Sequence, residues 1–290
     1  MGSFADKGSF ADKGSFADKG SFADRVVLVT GGASGIGRAL GTELSRRGAR
    51  VTLADLDAER VEIVAAEARA QGGIAESAAL DVTDAEAFRR QVDDLVTRHG
   101  RIDLLFNNAG IGITGEARDL PTEAWDRIID VNLKGVVHGI QAAYPHMLRQ
   151  KSGHIANTAC VAGLVPFPVT SAYSATKHAV VGLSAAMRAE AAIAGVRVSV
   201  ICPGIVDTAM FDSIEYFGVD KQALLAPIQR AMMTPEACAR KILRGVEKNR
   251  SVITVGFHAR LAWWLYRMAP RPFLYLTGIG FRLFRGRLLD

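Results

Sequence analysis

The stretch RVVLVTGGASGIG, residues 25–37, gives the clearest indication of the fold of this chain. Its first half is a β-branched apolar run, and its second half carries Gly31, Gly35 and Gly37 in GxxxGxG spacing. Glycines between a strand and a helix permit a tight turn and let the backbone approach a pyrophosphate. The helix that follows offers free N–H groups and a partial positive charge. The stretch therefore predicts a strand, a phosphate-binding turn and a helix, with a turn that binds nothing as the alternative.

Apolar runs and helical segments continue to alternate along the chain. Helical periodicity fills residues 57–71 and 84–99. Further apolar runs occupy residues 50–54, 102–107, 154–159, 197–202 and 251–255. Apolar runs without strict alternation are typical of strands buried on both faces. Residues 24–256 are therefore predicted to form a single α/β domain, a doubly wound parallel sheet of about seven strands with helices on both faces.

Composition excludes several classes of protein. The 290 residues carry a net charge of +5, with basic residues scattered instead of clustered with aromatics, which argues against a nucleic-acid partner. Cys160, Cys202 and Cys238 lie far apart, so we expect neither a disulfide framework nor a zinc site. The six histidines show no metal-ligand spacing. No signal peptide is recognised and no apolar run approaches ~20 residues, so a cytoplasmic protein without a metal is predicted.

The N-terminal residues form a short repeat. GSFADK occurs three times over residues 2–19, and GSFADR follows at residues 20–25. A period of six is too short for a solenoid unit that buries a core. Residues 1–23 are therefore interpreted as a repetitive leader outside the fold, and a functional repeat is the alternative.

Two carboxylates follow predicted strands. Asp55 ends the second strand, where a carboxylate accepts hydrogen bonds from both adenosine ribose hydroxyls and repels a 2′-phosphate. Leu56 and Ser34 occupy the positions where an arginine would hold that phosphate, so NAD is predicted in preference to NADP. Asp81, after the third strand, is a candidate partner for the adenine amino group. The alternative for both carboxylates is a local cap of the strand end.

The segment YSATK, residues 173–177, places Tyr173 and Lys177 four residues apart on one helix face. A tyrosine ionises near pH ~10 and must lose about three pKa units to act as a base near neutrality. A neighbouring ammonium and a positively charged nicotinamide ring would both favour the phenolate. The alternative is an ordinary surface helix.

With these motifs, NNAG (residues 107–110), VNLKG (residues 131–135) and Pro203–Gly204 occur in an order that resembles the short-chain dehydrogenase/reductase family, single-domain Rossmann type. The resemblance implies Tyr173 as general acid/base, Lys177 on the nicotinamide ribose and Asn132 holding a water for proton relay. The cofactor-binding residues it implies, together with those predicted above, are Gly31, Ser34, Gly35, Ile36, Gly37, Asp55, Asp81, Val82, Asn108, Ala109, Gly110, Tyr173, Lys177, Pro203, Gly204, Val206 and Thr208.

One position departs from the family pattern. The family's catalytic serine lies thirteen residues before the tyrosine, and Cys160 occupies that place here. Ser152, Ser171 and Ser174 do not fit it, whereas Thr158 lies two residues earlier on the same strand face and is a candidate partial substitute. A thiol is a weaker hydrogen-bonding group than a hydroxyl, so slow catalysis is expected.

The resemblance implies an NAD(H)-dependent oxidoreductase, a short-chain alcohol dehydrogenase or carbonyl reductase. Residues 209–233 are rich in methionine and aromatic side chains and resemble the family's mobile substrate lid, so an apolar secondary alcohol and its ketone are predicted as substrate and product. An amphipathic helix pair is the alternative for this segment. The alternative function is an NAD-binding protein of low turnover, its active site disabled by Cys160.

Two further segments point to partners. Ser184 and several small residues between Tyr173 and Ala194 would allow close helix packing. The family resemblance implies that this helix pairs across a two-fold axis, so a homodimer or homotetramer is expected. The amphipathic C-terminal extension, residues 257–290, interleaves aromatics with arginines, and Pro270 and Pro272 are predicted to divide it into two short helices. Such a segment suits peripheral contact with an anionic membrane. The alternative is packing against the core or a neighbouring subunit.

Overall fold

A single seven-stranded parallel sheet organises the molecule. The computed structural model describes residues 22–226, 228–229 and 232–288. The strands in this part of the chain are β1 (Val26–Thr30), β2 (Arg50–Asp55), β3 (Ile74–Ala79), β4 (Leu104–Asn107), β5 (Ile113–Gly115), β6 (Gly153–Thr158), β7 (Val196–Pro203), β8 (Glu215–Phe217) and β9 (Val252–Val255). Seven form one sheet in the order β3-β2-β1-β4-β6-β7-β9, every pairing parallel, which confirms the predicted fold.

Helices cover both faces of this sheet. They are α1 (Gly35–Arg46), α2 (Ala58–Ala70), α3 (Ala85–His99), α4 (Thr122–Ile129), α5 (Gly135–Gln150), α6 (Ser171–Ala192), α7 (Met210–Ser213), α8 (Lys221–Leu225), α9 (Pro235–Glu247), α10 (Phe257–Met268) and α11 (Pro270–Leu288). Apolar residues of α1, α2 and α9 pack on one face, and those of α3, α5 and α6 on the other. All residues of β1 and β4 are buried, because the sheet is covered from both sides.

The direction of winding reverses between β1 and β4. From β1 the sheet proceeds through β2 to β3, and from β4 it proceeds through β6 and β7 to β9. The loops after β1 and β4 therefore lead away from each other and leave a crevice at the carboxyl ends of the strands. In open parallel sheets this is where ligands bind.

The described chain begins two residues before the predicted domain boundary at residue 24. The side chain of Phe22 is fully buried in the core, and the Arg47 guanidinium lies 5.6 Å from the centre of its ring. The last copy of the repeat therefore contributes an aromatic side chain to the fold. The earlier copies lie outside the described residues.

In the described part of the segment predicted as a lid, a strand separates two short helices. The segment contains α7, β8 and α8, and β8 pairs in parallel with β5, a strand that the sequence pattern did not reveal. A Cβ on Gly112 would lie 2.6 Å from the Ile214 side chain, so the missing side chain lets the segment approach. The loop after β4 and residues 209–217 are thereby joined.

The C-terminal extension forms α10 and α11. Helix α10 ends at Met268, and α11 begins at Pro270, with Ala269 between them. Pro272 is accommodated in the first turn of α11. The second helix spans 19 residues, so the prediction of two short helices was wrong for it. Trp263, Tyr266 and Phe273 pack against the core, which agrees with the alternative to membrane contact given for this extension. Among the described helices none has the length and hydropathy that crossing a bilayer requires.

Candidate active site

The glycine-rich turn lies between β1 and α1. Gly31 and Gly35 adopt φ angles of +69° and +51°, in the left-handed region that favours glycine. A Cβ on Gly37 would lie 2.0 Å from the Gly31 carbonyl oxygen, so only glycine lets α1 start against this loop. Ser34 precedes α1 without a side-chain cap, which leaves N–H groups of the first turn for a ligand, while Ile36 packs toward the core. These residues fit the pyrophosphate of a dinucleotide.

The NNAG segment is fixed to the end of β1. The Thr30 hydroxyl accepts hydrogen bonds from the Asn108 and Ala109 backbone N–H groups at 3.0 and 3.1 Å. The Asn108 side-chain amide donates to the Thr30 carbonyl at 3.1 Å. The two strand ends on either side of the crevice are therefore held as one unit.

Asp55 lies at the end of β2 beside the glycine-rich turn. Its carboxylate accepts from the Ala33 N–H at 2.9 Å and from the Asp57 N–H at 3.2 Å. Leu56 beside it is 73% exposed. The carboxylate is thus held in place by the backbone, as required of a group that receives ribose hydroxyls, and it also caps the strand end.

Asp81 is exposed and accepts hydrogen bonds from its own loop. The Thr83 N–H and hydroxyl both donate to Oδ1, at 2.8 and 2.7 Å. Val82 is buried, and a Cβ on Gly135 would lie 2.8 Å from its side chain. These hydrogen bonds of Asp81 match the alternative of a local cap, and its pairing with the adenine amino group stays a prediction.

The residues after β7 close the opposite side of the crevice. Pro203 ends β7, and the Gly204 N–H donates to the end of β9 at 2.9 Å. Val206 is buried. The methyl group of Thr208 lies 3.0 Å from the position of a Cβ on Gly35, so Thr208 lies directly over the glycine-rich turn.

Asn132 lies in a π-helical segment, Asp130–Lys134, between α4 and α5. Such widened turns occur often at functional sites. The fully buried side chain donates to the Ile111 carbonyl at 2.9 Å and accepts from the Ile111 N–H at 2.8 Å. A Cβ on Gly110 would lie 2.9 Å from the Asn132 oxygen and 3.4 Å from the Lys177 nitrogen. Asn132 therefore fixes the loop that brings Gly110 against helix α6.

Tyr173 and Lys177 occupy one face of α6, as predicted. The Lys177 nitrogen lies 5.6 Å from the centre of the Tyr173 ring and donates to the Thr158 carbonyl at 3.1 Å. The Thr158 hydroxyl donates to Asn108 Oδ1 at 3.4 Å, so it faces the cofactor loop. Thr158 therefore supports Lys177 through its backbone and does not take the place of a catalytic hydroxyl.

Cys160 follows β6 and precedes a 3₁₀ turn, Val161–Gly163. A Cβ on Gly163 would lie 2.5 Å from the Lys177 carbonyl oxygen, so this glycine lets the turn pack tightly on α6. The packing places the partly exposed Cys160 thiol beside the Tyr173 phenol. Cys160 thus occupies the place expected of the serine.

The electrostatics of the site differ from the sequence prediction. Burial and the neighbouring Cys160 raise the pKa of Tyr173 well above its ordinary value, although the ring keeps some exposure. Burial also lowers the pKa of Lys177 to about 8. The prediction that the protein's own ammonium would lower the pKa of the phenol was therefore wrong for the chain by itself, because burial disfavours both charged forms.

A buried polar network supports helix α6, and the sequence pattern did not predict it. The Asn107 amide donates to Asn157 Oδ1 at 2.8 Å, and the Asn157 amide donates to the Ser184 hydroxyl at 3.0 Å. Ser184 in turn donates to the Val180 carbonyl at 2.7 Å. Ser184 therefore faces the sheet, not a neighbouring subunit. An asparagine within the apolar run HIANTA was the signal for this network, because a buried amide requires partners.

Comparison with known proteins agrees with this geometry. The short chain dehydrogenase family profile matches residues 25–216. SadH of Mycobacterium tuberculosis, named as an oxidoreductase, is 35% identical over 261 residues, which cover 88% of this chain and 95% of SadH.

Solved structures of similar chains contain either nicotinamide cofactor. A short-chain dehydrogenase/reductase from Burkholderia phymatum in complex with NAD is 30% identical, with a TM-score of 0.79 over 85% of this chain and 94% of that one. A metagenomic short-chain oxidoreductase in complex with NADP is also 30% identical, with a TM-score of 0.67 over 81% of this chain and 98% of that one. This chain belongs to the short-chain dehydrogenase/reductase family of oxidoreductases.

Proposed function

We propose that this chain interconverts an apolar secondary alcohol and its ketone with NAD(H), and that Tyr173 is the general acid/base. The observation that carries the proposal is the contact of Tyr173 with Lys177 and Cys160 beside Gly110, at the carboxyl ends of β4 and β6. When bound, the nicotinamide ring supplies or accepts the hydride. The chain itself supplies a site for the proton next to the reacting carbon.

Each catalytic side chain has a distinct part in moving that proton. The raised pKa of Tyr173 keeps the phenol protonated, which suits donation to a carbonyl oxygen. In the oxidative direction the phenol must first become a phenolate. Burial opposes that form in the chain by itself, and a positively charged nicotinamide ring, when bound, would favour it together with Lys177. With a pKa of about 8, Lys177 is still mostly charged at pH 7. Cys160 adds a weak hydrogen bond from the thiol to the substrate oxygen.

Apolar surroundings of Tyr173 support the choice of substrate. Tyr173, Ile111 and Phe217 pack into one apolar cluster with Ile113 of β5. A substrate beside the phenol would therefore contact the partly exposed hydrocarbon of Ile111 and Phe217. Each methylene group buried there contributes about 0.8 kcal/mol.

The experiment follows NADH absorbance with a homologous series of secondary alcohols and ketones. We expect kcat/KM to rise with chain length, and Tyr173→Phe to lower kcat by about 10²–10⁴-fold while cofactor binding persists. Values that stay flat or fall with chain length would contradict the apolar substrate. A Tyr173→Phe variant with unchanged kcat would contradict the assignment of the acid/base.

A second function is favoured by Cys160. A thiol in place of the hydroxyl weakens the hydrogen bond to the substrate oxygen, as expected of an NAD-binding protein of low turnover. The same absorbance assay separates the two functions, because such a protein would bind NADH and leave every alcohol and ketone unchanged.

We also infer a homodimer or homotetramer in the cytoplasm, with peripheral membrane contact through residues 257–290. The small side chains along α6 that support the oligomer are exposed, namely Ala175, Gly182, Ala185, Ala186 and Ala189. Sedimentation velocity tests the oligomer, since replacing Ala185 with a large charged residue should yield monomers.

A further inference from the structure

Helix α10 is apolar on two opposite faces. Ala259, Trp263 and Tyr266 face the core. The opposite face carries side chains at helical spacing that are 41–73% exposed: Phe257, Leu261, Trp264, Leu265 and Met268. Packing against the core accounts for the first face only. An apolar stripe on the solvent side of a helix indicates a partner.

Helix α11 repeats this arrangement. Phe273 packs toward the core, and the outer face exposes Tyr275, Leu276, Ile279 and Leu283 at spacings of one, three and four residues. Leu283 is 74% exposed. We call the exposed apolar residues of both helices the outer stripe. Among the described residues, ten of the sixteen large apolar side chains that are exposed lie on these two helices, so the remaining exposed ones are scattered singly.

Charge is concentrated on the same segment. Six of the 35 basic residues and one of the 30 acidic residues lie in residues 257–290, so the remainder of the chain is neutral and this segment carries the whole net charge of +5. Arg260 and Arg267, seven residues apart, border the outer stripe of α10, and both are exposed. A surface that is both apolar and positively charged matches an anionic lipid bilayer.

A second copy of this chain is a poorer occupant of the outer stripe. Two such segments face to face would oppose arginines with arginines, and like charges in contact disfavour association. An anionic bilayer accepts the apolar side chains and the positive charges together.

The outer stripe lies beside the substrate side of the molecule. Helix α11 contacts α8, and Arg285 donates to the Glu116 carboxylate at 2.9 Å, one residue beyond β5. Ile113 of β5 belongs to the apolar cluster that contains Tyr173. Helix α11 is therefore joined through Glu116 to β5, which packs in the apolar cluster that contains Tyr173.

We propose that the outer stripe seats this protein on an anionic bilayer and that its substrate is an alcohol or ketone dissolved in that bilayer. The second half rests on the proposed function, since it requires apolar alcohol oxidation at Tyr173. The first half stands on the exposed stripe and the concentrated charge alone.

Sedimentation with vesicles tests the docking. The full chain is mixed with vesicles of phosphatidylcholine alone or with phosphatidylglycerol added. The variants are Trp264→Glu and Ile279→Glu, and the matched control is Ile193→Glu, which places the same charge on a side chain that is 94% exposed at the end of α6. We expect binding to anionic vesicles that weakens in salt, a loss of at least about tenfold in both stripe variants, and no loss in the control.

Two results would overturn the docking. One is absence of binding to anionic vesicles at low ionic strength. The other is a stripe-dependent dimer in sedimentation velocity without vesicle binding, which would identify a second copy as the occupant.

Activity separates the docking from the proposed function. A long-chain secondary alcohol dissolved in anionic vesicles and a short soluble one are both assayed with NAD. We expect Trp264→Glu to lower the rate on the vesicle-bound alcohol at least about tenfold and to leave the soluble alcohol unaffected. Equal rates of both proteins on the vesicle-bound alcohol would overturn the bilayer as substrate source. If the chain binds vesicles and oxidises neither alcohol, the proposed function fails and the docking stands.

Discussion

At the scale of single residues, this site depends on two side chains that are held in unfavourable surroundings. The Tyr173 phenol and the Lys177 ammonium both lie where burial opposes their charged forms. Cys160 lies against the phenol in place of the family's serine. Burying these two ionisable groups lowers the stability of the fold, while the proposed reaction requires them there, as is common in active sites.

Changing Cys160→Ser should raise kcat by about ten- to a hundredfold with little change in NAD affinity. A hydroxyl hydrogen bond to the developing charge on the substrate oxygen contributes roughly 1.5–3 kcal/mol, and each ~1.36 kcal/mol is tenfold in rate. Steady-state kinetics measure the change, and Cys160→Ala is the matched control because it removes the thiol without adding a hydroxyl. An unchanged or lower kcat in a folded serine variant would show that position 160 lacks the serine's role.

Changing Lys177→Met should abolish activity and raise the free energy of unfolding at pH 7 by about 1–3 kcal/mol. The pKa of Lys177 is about 8 in the fold and 10.5 otherwise, so between these values the unfolded chain binds more protons and stability rises with pH. The advantage of the methionine variant should therefore be complete below pH 8 and shrink toward pH 10.5.

Urea unfolding of the cofactor-free protein at several pH values measures this difference. Lys241→Met, at an exposed lysine of α9, is the control and should show no such pH dependence. If Lys177→Met is less stable at pH 7, the bond from Lys177 to the Thr158 carbonyl outweighs the cost of burying the charge.

At the scale of elements, the π-helical segment between α4 and α5 connects helix α5 to the loop after β4. It aims the Asn132 side chain at the backbone of Ile111, in the loop after β4. A π-helical turn contains one residue more than an α-helical turn. In a regular α-helix the Asn132 side chain would therefore point in a different direction around the helix axis, and its two hydrogen bonds to Ile111 would be lost.

Changing Asn132→Ala should therefore reduce stability as well as activity. It leaves the N–H and carbonyl of Ile111 without their partner, at a cost of about 1–3 kcal/mol. Thermal unfolding and kcat are measured together, with Asn132→Asp as the comparison, since an aspartate still accepts from the Ile111 N–H. A variant that loses activity at full stability would restrict Asn132 to the proton relay that the family resemblance implies.

At the scale of the whole molecule, the sheet brings the glycine-rich turn, helix α6 and residues 209–217 to one edge. The C-terminal helices pack on this assembly through Trp263, Tyr266 and Phe273. Deleting them would uncover the core, so single substitutions on the outer stripe are the sounder test of membrane binding.

NAD(H) should bind at least tenfold more tightly than NADP(H), a difference of ~1.4 kcal/mol. The Asp55 carboxylate is held by the Ala33 and Asp57 backbone N–H groups and cannot easily turn away from a 2′-phosphate. Fluorescence titration with each cofactor measures the difference, and Asp55→Ala should narrow it. Equal affinities in the unchanged protein would contradict the role of Asp55.

The sheet, the glycine-rich turn and the pair Tyr173 and Lys177 could all be predicted from the sequence. These features follow from local rules: apolar runs predict buried strands, and a spacing of four residues places two side chains on one helix face. The position of Cys160 followed from its spacing to Tyr173 in the family pattern. None of these inferences required knowledge of which distant residues meet.

The surroundings of those residues could not be predicted, because they depend on how distant segments pack in the folded chain. The pairing of β5 with β8, the bonds of Asn132 to Ile111, the network through Ser184 and the burial that shifts the pKa values of Tyr173 and Lys177 all join segments distant in sequence. The two apolar faces of α10 are a further case in which the sequence pattern is insufficient. Periodicity marks both faces as apolar, and packing decides which one is buried, because only one of them can meet the core.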